Sequence, residues 1–128
     1  MAITLTTAAR NAACDAIVDL IDGGTTDANG DLVFMTSGDV EVATLAMSNP
    51  AFGAAAAGVA TANTISDDTN ATGGTVAKFK IQNRDNTEVF QGTVTVTSGG
   101  GDIEMSSLSV GATDTVSVTS MTATMPAS

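Results

Sequence analysis

Alternating apolar and polar residues between positions 74 and 96 constrain the fold of this chain more than any other feature. Phe79 and Ile81 share one parity in the first half of this stretch, and Phe90 and Val94 share one parity in the second half. A period of two is what a β-strand with one face on a core requires. The stretch therefore predicts a β-hairpin.

Two features of the predicted hairpin bear on its packing. Its turn spans residues 83–87, where asparagine and aspartate favour turn geometry through hydrogen bonds to nearby backbone groups. Gly92 falls on the apolar side of the second strand. It predicts either a bulge or a space that is filled by a bulky cross-strand neighbour, Phe79 or Ile81.

Most of the basic residues of the chain lie in or beside this turn, namely Lys78, Lys80 and Arg84. Lysines on an exposed strand can protect a sheet edge from unwanted pairing, and they can also dock an acidic partner. The whole chain has 14 acidic and 4 basic residues, for a net charge of −10. Because nucleic acid and anionic membranes would be repelled by this charge, we expect neither as a partner.

Short apolar runs separated by glycine-rich turns continue before and after the hairpin. This spacing predicts a mainly β fold, an antiparallel β-sandwich or jelly-roll-like structure with one N-terminal α-helix. The 128 residues are enough for a single domain over residues 1–128, with an N-terminal strand and helix in 1–24 and the β-sandwich in 25–128. The other predicted strands are Leu32–Met35, Val40–Met47, Ile103–Met105, Leu108–Val110 and Thr115–Met125, the last with a bulge near Thr119–Ser120 where its apolar parity switches.

The helix is predicted directly after Thr6 and Thr7. A threonine can cap its start, and Gly23-Gly24 can end it with a left-handed residue. Its apolar face is expected to pack on the sandwich or, alternatively, to contact a second subunit. The residues assigned to that face are Ala9, Ala13, Ala16, Ile17 and Leu20.

Two segments between the predicted strands lack a clear periodicity. The alanine-rich residues 54–60 favour a helix by propensity, but the glycines and threonines around them indicate an extended segment or loop. Residues 65–74 are polar and predict a mobile loop tip, in which the acidic pair at 67–68 is interpreted as solvated.

The oxygen-bearing side chains of Asp27, Asn29 and Asp31 alternate like the first ligands of a calcium loop. However, Leu32 stands where such a loop needs glycine, and no glutamate follows at the twelfth position. An Asn-Gly sequence is also a strong hairpin signal. The favoured interpretation is therefore a hairpin turn at residues 29 and 30.

No arrangement of residues in the sequence indicates catalysis. The chain has no histidine, which is the commonest general base and a common metal ligand. Without such a base, the single cysteine, Cys14, is interpreted as a small buried hydrophobic residue. No two acidic residues have the spacing or the apolar surroundings that indicate the paired carboxylates of a glycosidase. We therefore predict a protein that is not an enzyme, with no catalytic, cofactor-binding or metal residues.

Two stretches, ITLTTAARNAACDAIVDLID at residues 3–22 and LAMSNPAFGAAAAGVATANTI at residues 45–65, resemble small proteins from the structural-gene regions of tailed bacteriophages. The resemblance extends to the charged hairpin, the strand at Val89–Val96, the Gly-Gly-Gly-Asp turn and the final strand rich in Thr, Ser and Val. It thus covers nearly the full length. It implies a virion structural protein, most plausibly a capsid decoration or cement protein, and brings no site residues with it.

The resemblance implies that the major capsid protein and copies of this chain are partners, and that the chain resides in the virion. The N-terminal residues lack the basic region and apolar run of a signal peptide, so we expect synthesis in the host cytoplasm. With four phenylalanines and no tyrosine or tryptophan, the core is also expected to be small, and burial against a partner would compensate for this.

Two alternatives to capsid decoration remain. One is a neck or tail component of the virion, such as a ring, tube or fibre-attached module. The other is a carbohydrate-binding β-sandwich, in which phenylalanines would replace the usual tyrosine and tryptophan as stacking platforms. The available phenylalanines are Phe34, Phe52, Phe79 and Phe90.

Overall fold

The computed structural model describes residues 3–127 and contains one α-helix, a short 3₁₀-helix and nine strands in that part of the chain. The helix α1 is followed directly by the 3₁₀-helix, and all strands come after them. The elements are α1 Thr7–Val18, the 3₁₀-helix Asp19–Asp22, β1 Asp31–Met35, β2 Glu41–Ala46, β3 Val59–Thr61, β4 Gly74–Thr75, β5 Lys78–Gln82, β6 Glu88–Val96, β7 Ile103–Met105, β8 Ser109–Val110 and β9 Thr122–Thr124.

Five strands form one sheet in the order β2-β1-β5-β6-β7. All neighbours in it are antiparallel except β6 and β7, which are parallel. Two antiparallel ribbons, β3–β9 and β4–β8, complete the strands. The prediction of a mainly β fold with one N-terminal α-helix is confirmed, and the main sheet is mixed.

The predicted hairpin is confirmed as β5 and β6, with its turn at residues 83–87. Gly92 lies directly opposite Phe79, and a Cβ on Gly92 would come within 2.7 Å of the Phe79 ring. Gly92 therefore leaves room for the bulky neighbour, as one of the two interpretations predicted. The bulge in this pair lies elsewhere, between Ile81 and Gln82.

The interpretation of the lysines as edge protection is wrong, because β5 lies between β1 and β6 inside the sheet. Lys78 and Lys80 are the cross-strand partners of Met35 and Val33, on the face opposite Phe34 and Phe79. Lysine stems readily cover apolar surface while the ammonium group stays in water. Lys78 also forms an ion pair with Asp39.

The predicted mobile tip at residues 65–74 is instead a segment that covers the free edge of β2. The Ser66 N–H donates to the Ala46 carbonyl (2.8 Å), and the Gly73 N–H donates to the Val42 carbonyl (3.1 Å). Between them, the Asp68 carboxylate accepts a hydrogen bond from the Thr44 N–H (2.9 Å). These contacts occupy backbone groups that an edge strand would otherwise expose.

The predicted threonine cap is confirmed, since the Thr6 hydroxyl accepts a hydrogen bond from the Ala9 N–H. The predicted glycine end is confirmed for the helical segment as a whole: α1 ends at Val18, a 3₁₀-helix continues to Asp22, and Gly24 follows with φ +113°. Residues 3–6, which precede the helix, form no strand. The other two residues of the predicted N-terminal strand, Met1 and Ala2, lie outside the described residues.

The predicted buried face of α1 is wrong. Ile17 is 40% exposed and Leu20 is 59% exposed, whereas Cys14, Val18 and Ile21 are buried. The physical reason is that polar side chains beside the buried residues accept hydrogen bonds from the backbone of residues 51–58. The helix therefore buries a face that contains both apolar and polar residues. The contacts are Asn11 Oδ1 with the Gly58 N–H (2.7 Å), Asp15 Oδ1 with the Ala55 N–H (2.7 Å) and Asp22 Oδ1 with the Ala51 N–H (2.8 Å).

The alanine-rich segment is a loop up to the start of β3, as predicted, and it contains no helix. The prediction of one strand over Thr115–Met125 is wrong. Only β9 is a strand there, and Val116 forms an isolated bridge with Asp68. Val116 and β9 are held by different partners, and residues 117–120 between them make no backbone hydrogen bond to another described residue. The predicted irregularity at Thr119–Ser120 falls in this unpaired stretch.

Candidate functional site

A groove of about 940 Å³ lies between the main sheet and the C-terminal segment. Its sheet side carries Phe34, Phe79 and Phe90, and the β7 side chains Ile103 and Met105 extend it. Its opposite wall is formed by residues 115–124. The volume lies within the range of small-molecule and peptide sites. The groove is the candidate functional site, and sequence reasoning missed it.

The aromatic residues of the groove are packed against each other and into the core. The rings of Phe79 and Phe90 meet edge to face, with centroids 6.4 Å apart. Phe34 is 1% exposed and Phe79 is 4% exposed. Phe52 is also buried and does not line the groove. Since sugar stacking needs an open ring face, only the half-buried Phe90 offers part of one.

The charged side chains that line the groove are all acidic: Asp102, Glu104 and Asp114. Each accepts a local backbone hydrogen bond, from the N–H groups of Thr93 (2.9 Å), Gly100 (3.1 Å) and Gly111 (2.8 Å) respectively. The bonds from the Thr93 N–H and hydroxyl lower the pKa of Asp102 below its ordinary value. The groove therefore has a negative rim at neutral pH.

Two stretches of backbone that line the groove have no partner. Strand β7 is the last strand of the main sheet, and among residues 3–127 no backbone group bonds to its outer edge. Residues 117–120 make no backbone hydrogen bond to any other described residue. Unpaired strand edges are the usual place for another chain to add.

Two of the residues considered as a calcium loop, Asp27 and Asp31, accept hydrogen bonds from side-chain amides of the β5–β6 hairpin. The Asp27 carboxylate accepts a hydrogen bond from the Asn86 amide (2.9 Å), and the Asp31 carboxylate from the Gln82 amide (3.3 Å). Burial raises the pKa of Asp31, and the Gln82 bond opposes this. Across residues 3–127, no three His, Cys, Asp or Glu side chains cluster in a way that could hold a metal ion.

The favoured interpretation of residues 29 and 30 as a hairpin turn is wrong. No strand precedes Gly30 within the described chain, and β1 pairs with β2 through a turn at residues 36–40. Gly30 is instead needed for packing: a Cβ there would lie 2.6 Å from the Gln82 carbonyl oxygen and from Ile21 Cγ2. Residues 23–30 thus lie against the turn of the β5–β6 hairpin.

The remaining candidates have structural roles. Cys14 is 3% exposed, and its thiol donates to the Ala123 carbonyl (3.4 Å), which confirms its interpretation as a buried residue. Of the acidic pair, Asp67 is exposed and Asp68 binds the backbone of β2. Arg84 donates to the Asp27 carbonyl (2.8 Å) from the hairpin turn.

Asp85 connects the hairpin turn to the segment after the helix. Its carboxylate accepts hydrogen bonds from the Thr25 N–H (2.8 Å), the Thr26 N–H (2.9 Å) and the Thr26 hydroxyl (2.9 Å). These bonds lower the pKa of Asp85 below its ordinary value, and the two bonds from backbone N–H groups have the largest effect. A lowered pKa stabilises the fold above the unfolded-state pKa, and this stabilisation is lost as the pH falls through the folded-state pKa.

We therefore expect Asp85→Asn to lower the urea midpoint at pH 7 and to weaken the fall of that midpoint as the pH drops below about 4. Urea unfolding followed by far-ultraviolet circular dichroism measures both effects. Asp67→Asn is the control, because Asp67 is exposed and makes no side-chain hydrogen bond to a described residue. Equal midpoints for Asp85→Asn and the wild type at pH 7 would contradict a stabilising role for the charge of the Asp85 carboxylate.

The chain was compared with protein-family models, with curated proteins and with solved structures, and none of these matched it. Within residues 3–127, none of the helices has the length and apolar character required to cross a bilayer.

Proposed function

We propose that this chain is a non-enzymatic structural protein of a tailed-bacteriophage virion, which binds the outside of the capsid and stabilises it. The bacteriophage origin rests on the sequence resemblance of residues 3–22 and 45–65. The observation that carries the binding role is the open groove between the main sheet and residues 115–124, where apolar side chains alternate with serine and threonine. Concave clefts of this size are the usual place for a ligand to bind.

The outer face of α1 adds to this surface. Ile17 and Leu20 are exposed, and Ile17 also lines the groove. The exposed alanines beside them, Ala9 and Ala16, permit a close approach by another protein. The proposed partners are the major capsid protein and other copies of this chain, and the proposed location is the virion.

The acids around the groove support a non-enzymatic role. A general acid needs a raised pKa and an unoccupied position toward the substrate. The pKa of Asp102 is instead lowered by its bonds from Thr93, and Glu104 and Asp114 are bound to nearby backbone. The carboxylates therefore act as local structural acceptors and give the groove its charge.

Binding to capsids that lack this chain tests the proposal. Purified protein is mixed with such capsids and sedimented, and the bound fraction is measured against concentration. We expect saturable binding with many copies per capsid and a higher melting temperature of the decorated capsid, because a ligand that binds only the assembled state stabilises it. Failure to sediment with the capsid at any concentration would refute the proposal.

A further inference from the structure

The groove has the backbone chemistry of an incomplete sheet. On one side, the outer edge of β7 presents N–H and C=O groups without partners among the described residues. On the other side, residues 117–120 present a second unpaired stretch. Backbone groups of this kind are satisfied by an extended peptide that adds as a strand, which is a recurring mode of peptide recognition.

The side chains of the groove suit a strand with one apolar face. Apolar groups line both walls and are half-buried without being fully covered. Alternate side chains of an added strand would point to the same face and could pack among them. The half-buried apolar residues of the lining include Ile103, Met105, Val110, Val118, Met121 and Ala123, and serine and threonine residues lie between them.

The charge of the groove favours a cationic occupant. Its charged lining residues are the three acids Asp102, Glu104 and Asp114, with no lysine or arginine among them. Charge complementarity across an interface selects partners and speeds their association. An extended segment that alternates apolar residues with lysine or arginine would match both the apolar walls and the negative rim.

A second copy of this chain does not supply such a segment. The whole chain has only four cationic side chains. Lys78 and Lys80 lie on a strand inside the main sheet, Arg84 binds the Asp27 carbonyl, and Arg10 donates to the Met125 carbonyl (2.9 Å). None of these residues belongs to a free extended segment of residues 3–127.

We infer that the groove binds an extended segment of the capsid partner, in which apolar residues alternate with lysine or arginine, and that this segment adds as a β-strand beside β7. The identity of the partner rests on the proposed function, whereas the chemistry of the segment rests on the groove. The segment would pair with β7 through its backbone, place its apolar side chains between the two walls and place its cations at the acidic rim.

A synthetic seven-residue peptide of alternating lysine and valine is the first probe. Its fluorescein-labelled form is titrated with the full chain at low salt, and anisotropy reports binding. Matched controls are a glutamate–valine peptide and the lysine–valine peptide with every second backbone nitrogen methylated, which keeps the charge but removes strand pairing. We expect only the unmodified lysine–valine peptide to bind. Equal binding by the methylated peptide, or no binding by any peptide, would overturn the inference.

Two variants with matched controls locate the site. Glu104→Lys reverses an exposed rim charge, and Glu88→Lys makes the same change at an exposed position that does not line the groove. Val118→Asp places a charge on the groove wall, and Val40→Asp places one at an exposed turn residue. We expect Glu104→Lys to weaken peptide binding about threefold or more, and Val118→Asp about tenfold. The two controls should bind like the wild type.

Capsid binding by the same four variants separates this inference from the proposed function. Weaker capsid binding by the two groove variants alone would support both. If the wild type binds capsids and all four variants bind equally well, the groove is not the contact and the inference fails while the proposed function stands. If the wild type does not bind capsids, the proposed function fails, and the peptide titrations decide on the groove. Because Glu104 is exposed, Glu104→Lys remains informative even if Val118→Asp does not fold.

Discussion

Replacing Phe34 with alanine is expected to lower the free energy of unfolding by about 3–5 kcal/mol. Phe34 lies on β1 in the middle of the core, is 1% exposed and faces Ala43 and Phe79 on the neighbouring strands. Removal of its ring would leave a cavity among the buried residues of the core. Urea unfolding at 25 °C, followed by far-ultraviolet circular dichroism, measures the change.

Val40→Ala is the control for this substitution. Val40 is 60% exposed in the turn between β1 and β2, so its truncation should change the free energy of unfolding by less than about 0.5 kcal/mol. A cost below about 1 kcal/mol for Phe34→Ala would mean that the β1 side chains do not form the core described above.

Replacing Gly30 with alanine is expected to cost about 1–3 kcal/mol through overpacking. The added methyl group would lie 2.6 Å from the Gln82 carbonyl oxygen, which belongs to the sheet backbone and cannot move independently. Ile21 Cγ2 lies at the same distance on the other side. Relief of either contact would separate the helical segment from the hairpin, so the variant should also show a lower melting temperature.

Gly38→Ala is matched to this variant, since the nearest atom to its added methyl group, Thr36 Oγ1, is 3.8 Å away. Its expected effect is near zero or slightly stabilising, because alanine restricts the unfolded chain more than glycine does. Similar losses of stability for the two variants would contradict the close contact at Gly30.

The hairpin was predictable because its signals are local. Alternation over β5 and β6 defines which residues share a face, and the glycine at position 92 indicates a bulky neighbour across the pair. The start of α1 was predictable for the same reason, since a cap depends on residues three positions apart.

The buried face of α1 was not predictable from polarity. An amphipathic pattern assumes that polar side chains face water. Here Asn11, Asp15 and Asp22 accept hydrogen bonds from the backbone of residues 51–58, which lie far away in the sequence. The exposed Ile17 and Leu20 are the consequence, and only the tertiary pairing shows it.

The groove was also beyond local patterns, because it depends on which strands pair. No local pattern in the sequence predicts that β7 pairs in parallel with β6 at the end of the sheet. None predicts that Val116 pairs with Asp68 while β9 pairs with β3. The switch in apolar parity near Thr119–Ser120 was the one local sign, and it falls in the unpaired wall of the groove.

Electron cryo-microscopy of the parent virion tests the proposed role most directly. The proposal predicts density that fits this chain at repeated positions on the outer capsid lattice, with the groove occupied by an extended segment of the capsid protein. Density only at the unique vertex would place the chain in the neck or tail instead. Absence of the chain from the particle would contradict a role in the virion altogether.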